Sequence, residues 1–490
     1  MVLSQFHCAL CGVSFNIARI RTANEPPESA WGSFMSDSWV DAWRDGQGQC
    51  STEKTGCSYI LRQYSPVLRT RDADTGIQGD YLFFDFEGEI PTVGQRLPIN
   101  YYSRKGPGRI AIEKSDLEHV AGPRCQSYGG YLGHRISAAE MRGCQTFQSL
   151  LPKPNSYVQD PDDLDIEVQS NFILSGVTDG MPDPHPSGVS TWGVPERHGV
   201  PIRAISDPFV DSYEVSNSAF PFHPWCFGIY MKLSRLRLGH VELDRLPTFF
   251  QNINHYSRTF YDCPDPAVTR ARRSQWWYHP GAEWLAVNPY YVPKLRDLVH
   301  KAMNTDPSFD LQTGVFNALT NSAHTVAGQP VASDIFARLP QEIRDMIVNH
   351  LYSHDIAALR LASRAFYQLP VFLWHRLLRE EMPWLWEIWT DEPPYFWATV
   401  TADDIERNKH EIHTPGMPRP IIVSHTINVQ EHLSKWTIPK PPLGRTNWYM
   451  LYRDIKRHWN ELRGLWNRER IWTYQEEMLV ELEKHIRDGA

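Results

Sequence analysis

The side chains best suited to chemistry in this sequence are cysteines and histidines in two short phrases. Cys8-Ala-Leu-Cys11-Gly12 has the spacing of a zinc knuckle, in which a tight turn aims two thiolates at one tetrahedral ion and glycine relieves the backbone. Two ligands do not complete a tetrahedron. The best complement is His223-Pro-Trp-Cys226, because it opens a predicted helix, whose start can turn a His and a Cys three apart toward one metal. Cys8, Cys11, His223 and Cys226 would then hold a structural zinc ion and make the N-terminal module one unit with long insertions. The alternative is that Cys8 and Cys11 are small buried residues and His223 is a hydrogen-bonded core histidine. Cys50, Cys57, Cys125, Cys144 and Cys263 stand as substitute ligands.

Other chemistry is poorly signalled. His134, His255, His279 and His324 are scattered, with no local motif joining a nucleophile, a base and an orienting group. Tyr128-Gly129-Gly130-Tyr131 lacks the lysine and spacing of a phosphate-binding loop, and the acidic run 160–167 lacks the spacing of an EF-hand. The expectation is therefore a chain without catalytic groups. Its formal charge of -8 and the absence of a long basic run argue against nucleic acid as a partner. Residues 1–12 lack the charged and apolar regions of a secretory leader, and no stretch approaches the ~20 apolar residues of a membrane span. An intracellular protein without membrane partners is expected, its eight cysteines too sparse for a disulfide scaffold.

The elements that must position these groups read as α+β. With 41% hydrophobic and 12% aromatic residues, the chain has ample material for cores. A mixed module over 1–303 has short strands, such as Tyr81 to Phe86, among loops, with one short helical piece near Ser38 to Arg44. Ser137 and Glu140 form a capping-box pattern that predicts a helix within 134–151. The acidic run and Gly176 to Gly199 read as exposed loop. Phe227, Tyr230, Met231, Leu233 and Leu236 predict an amphipathic helix, and Leu295 to Met303 another. Residues 304–333, rich in Gly, Pro, Asn and Ser, read as a linker. An all-α segment over 334–380 and a helical region over 381–490 complete the chain. Most tryptophans are expected in cores rather than in a stacking platform.

In the segment after the linker, Pro340 suits the first helical turn and Glu342 the positive end of the helix dipole. Ile343, Ile347 and Leu351 fall four apart, so one face is apolar. Ser353 and His354 read as the gap before a second helix carrying Ile356, Leu359 and Leu361. Ser363 reads as the cap of a third helix with Phe366, Leu369 and Trp374, broken or kinked at Pro370. Three such helices make a thin core that a partner or a neighbouring domain must complete.

This segment resembles an F-box: Leu339-Pro340 opens it, Glu342 follows, aliphatics are spaced behind, Ser363-Arg364 is the serine-basic pair and Trp374 closes it. Ala362 stands where many members have valine. The resemblance implies docking on the small adaptor subunit of an SCF (cullin-RING) ubiquitin ligase through Leu339, Pro340, Ile343, Ile347, Leu351, Leu359, Leu361 and Trp374. It also implies an unidentified protein substrate brought to the ligase. The rival implication is an adaptor-bound scaffold that carries no ubiquitination cargo. More widely, CALCG, YLGHRISAAEMRGC, FHPWCF, WWYHPG and RGLWNRERIW resemble phrases of filamentous-fungal F-box proteins in which a cysteine-bearing region precedes the box.

Overall fold

The computed structural model describes residues 7–32, 50–63, 68–70, 81–85, 91–99, 109–153, 157–159, 164–179, 184–185, 188–189, 220–250, 265–274, 276, 278–303, 334–366, 369–407, 409–412, 421–424 and 427–487. The fold is α+β. By contacts it divides into a unit of residues 1–288, 395–429 and 470–490, and a second of 289–394 and 430–469. This division cuts across the sequential order 1–303, 304–333, 334–380 and 381–490 expected from sequence. The piece 289–303 goes with residues 334–380, and the chain's last helix supplies residues to both units. The proposed linker and the short piece near Ser38 to Arg44 lie outside the described residues.

The first unit is built from small sheets. Strands β1 (Arg19–Ile20), β2 (Ser58–Leu61), β3 (Leu68–Thr70), β4 (Tyr81–Asp85), β5 (Arg96–Pro98), β6 (Arg109–Glu113), β7 (Leu117–Val120) and β8 (Tyr131–Leu132) form three groups. The groups are β5-β2-β7 and β3-β6-β4, both antiparallel, and the parallel pair β1-β8. Strand β9 (Thr146–Pro152) pairs with β10 (Phe172–Leu174) and β11 (Thr178–Asp179), and also with β14 (Phe220–Phe222). Strands β12 (Pro184–His185) and β13 (Gly188–Val189) form a separate pair inside the stretch expected to be loop.

Region 134–151 departs from its expected helix. The capping bonds form: Ser137 N donates to Glu140 Oε2 at 2.9 Å, and Glu140 N to Ser137 Oγ at 3.2 Å. They close only turns, and Gly143 at φ 80° ends them before β9 begins. Thr146 through Leu151 are buried, so pairing on both strand edges wins over local helix preference. The acidic run also departs in part. Within it lies the helical turn Asp165–Gln169, where Glu167 is fully buried and accepts from Leu174 N at 2.9 Å. Helix α1 (Thr52–Thr55) precedes β2, and helix α2 (Pro224–Leu238) follows β14. The latter is not the expected amphipathic helix: every residue from Pro224 to Ser234 is buried. Gly239 in the left-handed region ends it, its amide donating to Arg235 O.

The second unit is helical. Helices α3 (Pro293–Met303), α4 (Gln341–Asn349), α5 (Ser353–Ala362), α6 (Val371–Glu381) and α7 (Trp448–Arg457) supply its core, in which Val348, Ile356, Phe366, Leu369, Leu373, Leu377, Trp448 and Leu451 are buried. Each such large side chain contributes about 1.5–3 kcal/mol. Pro340 and Pro370 stand at the N-caps of α4 and α6, so Pro370 starts a helix rather than kinking one. Ser353 begins α5 instead of lying in a gap. Ser363 ends that helix, and its hydroxyl donates to Asp334 Oδ2 at 2.7 Å. Arg376 Nη2 donates to the carbonyls of Val348 and Leu351, satisfying the end of α4. Buried Arg468 places Nη1 2.9 and 2.8 Å from the two carboxyl oxygens of Glu387, with its guanidinium 3.7 Å from the Trp386 ring centre. Helix α8 (Arg463–Arg487) carries this arginine. Among the described residues no helix is long and apolar enough to cross a membrane.

Glu381 ties α5 to this core. Its carboxylate accepts from Ser353 N at 2.8 Å, Ser353 Oγ at 2.9 Å and Tyr452 OH at 2.8 Å. Burial raises its pKa, but the Ser353 and Tyr452 donors outweigh burial and hold the carboxyl below its ordinary value. A lowered folded value adds stability above the ordinary carboxylate range, which is lost as pH falls through the folded value. Glu381→Gln should cost the second unit about 2 kcal/mol at neutral pH. It should also remove this acid-dependent component, read by hydrogen exchange in the first turn of α5 across an acid titration.

Candidate metal centres

Among the described residues, two clusters of three cysteines and one histidine form in the first unit, each with its ligand atoms within 4.8 Å of one another. The first unites the residues expected from sequence. Cys8 N donates to Val13 O at 2.9 Å, while Gly12 N and Cys11 N return to Cys8 O at 2.7 and 3.2 Å. This turn needs Gly12 at φ 72°, a conformation costly for a residue with a Cβ. Opposite it, β14 delivers His223 as the N-cap of α2, and the first helical turn brings Cys226 beside it.

Cys11 Sγ lies 3.5 Å from His223 Nδ1, and His223 N donates to Cys8 Sγ at 3.3 Å. His223 Nε2 lies 3.0 Å from Cys144 O. Since a carbonyl only accepts, that bond puts the proton on Nε2 and leaves the Nδ1 lone pair toward Cys11. All four groups are sealed from solvent. The knuckle's carbonyls are held by α8: Arg470 Nη1 donates to Cys11 O at 2.7 Å, and Gln475 Nε2 donates to Leu10 O at 3.0 Å and Cys226 O at 2.9 Å.

The donor set fits a thiolate-preferring ion. Zinc with Zn–S of about 2.3 Å and Zn–N of about 2.0 Å sets tetrahedral S···N edges near ~3.5 Å and S···S edges near ~3.7 Å. The cysteines are free thiols, not disulfides. Burial pushes the Cys8 and Cys226 thiols well above their ordinary value. Burial also raises Cys11, but hydrogen bonds from Cys226, Cys8 and His223 outweigh it and hold that thiol well below the usual range. A divalent cation bound here would draw off the thiol protons.

The second cluster is Cys50, Cys57, His119 and Cys125. Cys50 precedes Ser51, whose hydroxyl caps α1. Cys57 follows Gly56, which ends α1 in the left-handed region at φ 75°, and leads into β2. His119 lies in β7, paired with Tyr59, and Cys125 in the turn beyond. Cys50 and Cys125 sulfurs are 3.7 Å apart, and Cys125 Sγ is 3.9 Å from His119 Nε2. Gly122 N donates to Cys57 Sγ at 3.3 Å. A Cβ on Gly122 would fall 2.2 Å from the backbone of Gly56 and Thr55, so only glycine lets these loops close on the sulfur. Burial lowers the His119 pKa, but the facing Cys50 and Cys57 sulfurs raise it to about 9. Hydrogen bonds with Cys125 and Cys50 hold the Cys57 thiol far down, and those with Cys50 and Cys57 push Cys125 far up.

The substitute ligands Cys50, Cys57 and Cys125 therefore belong to a separate cluster, and His119 is a candidate ligand missed from sequence. No CxxC or HxxC phrase marks it; the nearest signal is His119 standing shortly before Cys125. Cys144 contributes a carbonyl, and Cys263 lies outside the described residues. Of the expected docking residues, Leu339, Ile347, Leu351 and Leu359 are half-buried, Pro340 and Ile343 are exposed, and Leu361 is 92% exposed. Trp374 corrects the expectation. It is buried against Tyr449 and Tyr452, so it is core rather than contact surface. Comparison of the chain with family models, curated proteins and solved structures finds no match.

Gln475→Ala would leave the buried carbonyls of Leu10 and Cys226 without their shared donor. The expected cost is about 1–3 kcal/mol in the first unit, seen as faster hydrogen exchange at the 8–13 turn with the second unit unchanged.

Proposed function

We propose that the chain is an F-box adaptor of an SCF cullin-RING ubiquitin ligase, acting inside the cell, with its docking helices in the second unit and a zinc-stabilised substrate-recognition module in the first. The observation that carries the docking part is the apolar surface left on α4 and α5. Ile343 and Met346, one turn apart, are 41% and 57% exposed, and Leu361 is exposed beside Ala357, Ala358 and Ala362 of the same helix. The unit fills its own core with Val348, Ile356, Leu373 and Trp374, so these outward groups have no structural task that requires burial within it. Large aliphatic groups set out by an ordered Leu-Pro opening suit another subunit's groove. Trp374 enters this reading as support for the helices rather than as a contact.

The mechanism is positional. Holding a substrate beside a ligase-bound ubiquitin donor raises the effective concentration of its lysines, and the adaptor supplies no catalytic group. Zinc at Cys8, Cys11, His223 and Cys226 is structural in this reading, since four protein ligands leave no open position for a substrate.

Leu339→Ala combined with Pro340→Ala should abolish co-purification with the small adaptor subunit. Leu361→Asp, at a site exposed in the free chain, should weaken that binding about tenfold or more without loss of folding. Undiminished binding in both variants counts against docking through this face. For the metal, Cys11→Ser should lower bound zinc by one equivalent and destabilise the first unit, measured by elemental analysis and denaturation. Unchanged metal content would remove zinc from this cluster.

A further inference from the structure

We propose that the second cluster, Cys50, Cys57, His119 and Cys125, is an exchangeable metal site: it takes a soft divalent cation of the zinc type and releases it more readily than the first cluster does. The inference is independent of the docking role of the second unit. Three sulfurs and an imidazole select such an ion over magnesium or calcium, which prefer oxygen. The Cys50–Cys125 spacing of 3.7 Å matches the ~3.7 Å edge of a tetrahedral thiolate site and is far from a disulfide's ~2.05 Å. The Gly122 amide aimed at Cys57 Sγ gives one thiolate the outer hydrogen bond that metal thiolates use.

Three observations distinguish the two sites. Cys50 is half-buried, whereas the four groups of the first cluster are sealed, so solvent, chelators and thiol reagents reach one ligand of the second. His223 is oriented by its bond to Cys144 O, whereas Nδ1 of buried His119 meets no hydrogen-bond partner among the described residues. Loss of such an outer bond typically weakens metal binding about 10–100-fold. Finally, the second cluster clamps a slight structure. Strands β5, β2 and β7 have 3, 4 and 4 residues, and the ligands flank α1 and the ends of β2 and β7. So small a sheet gains much of its stability from cross-links, and loss of the ion would loosen it first.

The test uses the full-length chain, purified with zinc and counted by native mass spectrometry. Two equivalents are expected. In buffers of stepped free zinc, the first equivalent should leave at a free-zinc level about 10–100-fold higher than the second. Its loss should raise hydrogen exchange in 50–61 and 117–125 while leaving 8–13 and 223–226 protected. His119→Ala should retain one equivalent, and His119→Cys, which makes a four-thiolate site, should restore two. Should His119→Ala fail to fold, iodoacetamide on the wild-type chain gives the same reading: alkylation of Cys50 should release one equivalent. A single equivalent in the wild-type chain, simultaneous loss of both, or first loosening at 8–13 overturns the proposal.

Discussion

The first unit depends on a requirement that its own chain meets poorly: buried sulfur needs a strong partner. Cys8, Cys11 and Cys226 are sealed together with His223, and among the described residues they meet one another's thiols, an imidazole and a backbone amide. A cation held there would cross-link residues far apart in the chain. The surrounding structure is arranged as if to hold it still. Cys144 fixes the imidazole's proton, Phe15 and Trp225 pack on its ring, and Arg470 and Gln475 secure the turn from behind.

The second unit works under the opposite constraint. Several polar side chains tie its helices together: Glu381 binds the start of α5, Arg376 closes the end of α4, Asp334 holds Ser363, and Arg468 with Glu387 forms a buried pair. What it leaves unsatisfied is apolar surface on α4 and α5. A buried ion pair costs desolvation and gains geometry. Such a network keeps the helices fixed while aliphatic groups such as Ile343, Met346 and Leu361 stay in water. The two units therefore differ in chemistry, with sulfur clusters in one and exposed apolar groups on α4 and α5 in the other.

Much of this was legible in the sequence, for local reasons. CALCG and HPWC specify turns whose geometry is set within four or five residues, so the first ligand set could be named before any coordinates. The helices over 341–362 follow from spaced aliphatics and from Pro340 at a helix start, and Tyr81 to Asp85 follows from its strand-forming residues, whereas Pro370 starts a helix that it was expected to kink. Local signals of the same kind misled where tertiary pairing was stronger. The Ser137–Glu140 box forms yet caps no helix, because the following residues are worth more as a strand buried on both faces. On α4 the spaced aliphatics divide, with Ile343 exposed, Ile347 half-buried and the neighbouring Val348 buried. Periodicity shows that a face is apolar but not what covers it.

Only the tertiary structure could decide the rest. The second cluster has no contiguous phrase: Cys50 and Cys57 flank α1, His119 faces them from a neighbouring strand, and Gly122 is needed because two backbones meet there. The partition of the chain is likewise non-local, since α8 begins in one unit and ends in the other. Trp374 belongs to the core because Tyr449 and Tyr452 return from much later in the chain to enclose it. The sequence by itself determined the short turns, the helix starts and the types of ligand. Strand pairing and packing determined which of them meet, because those contacts join residues whose order along the chain carries no record of their distance in space.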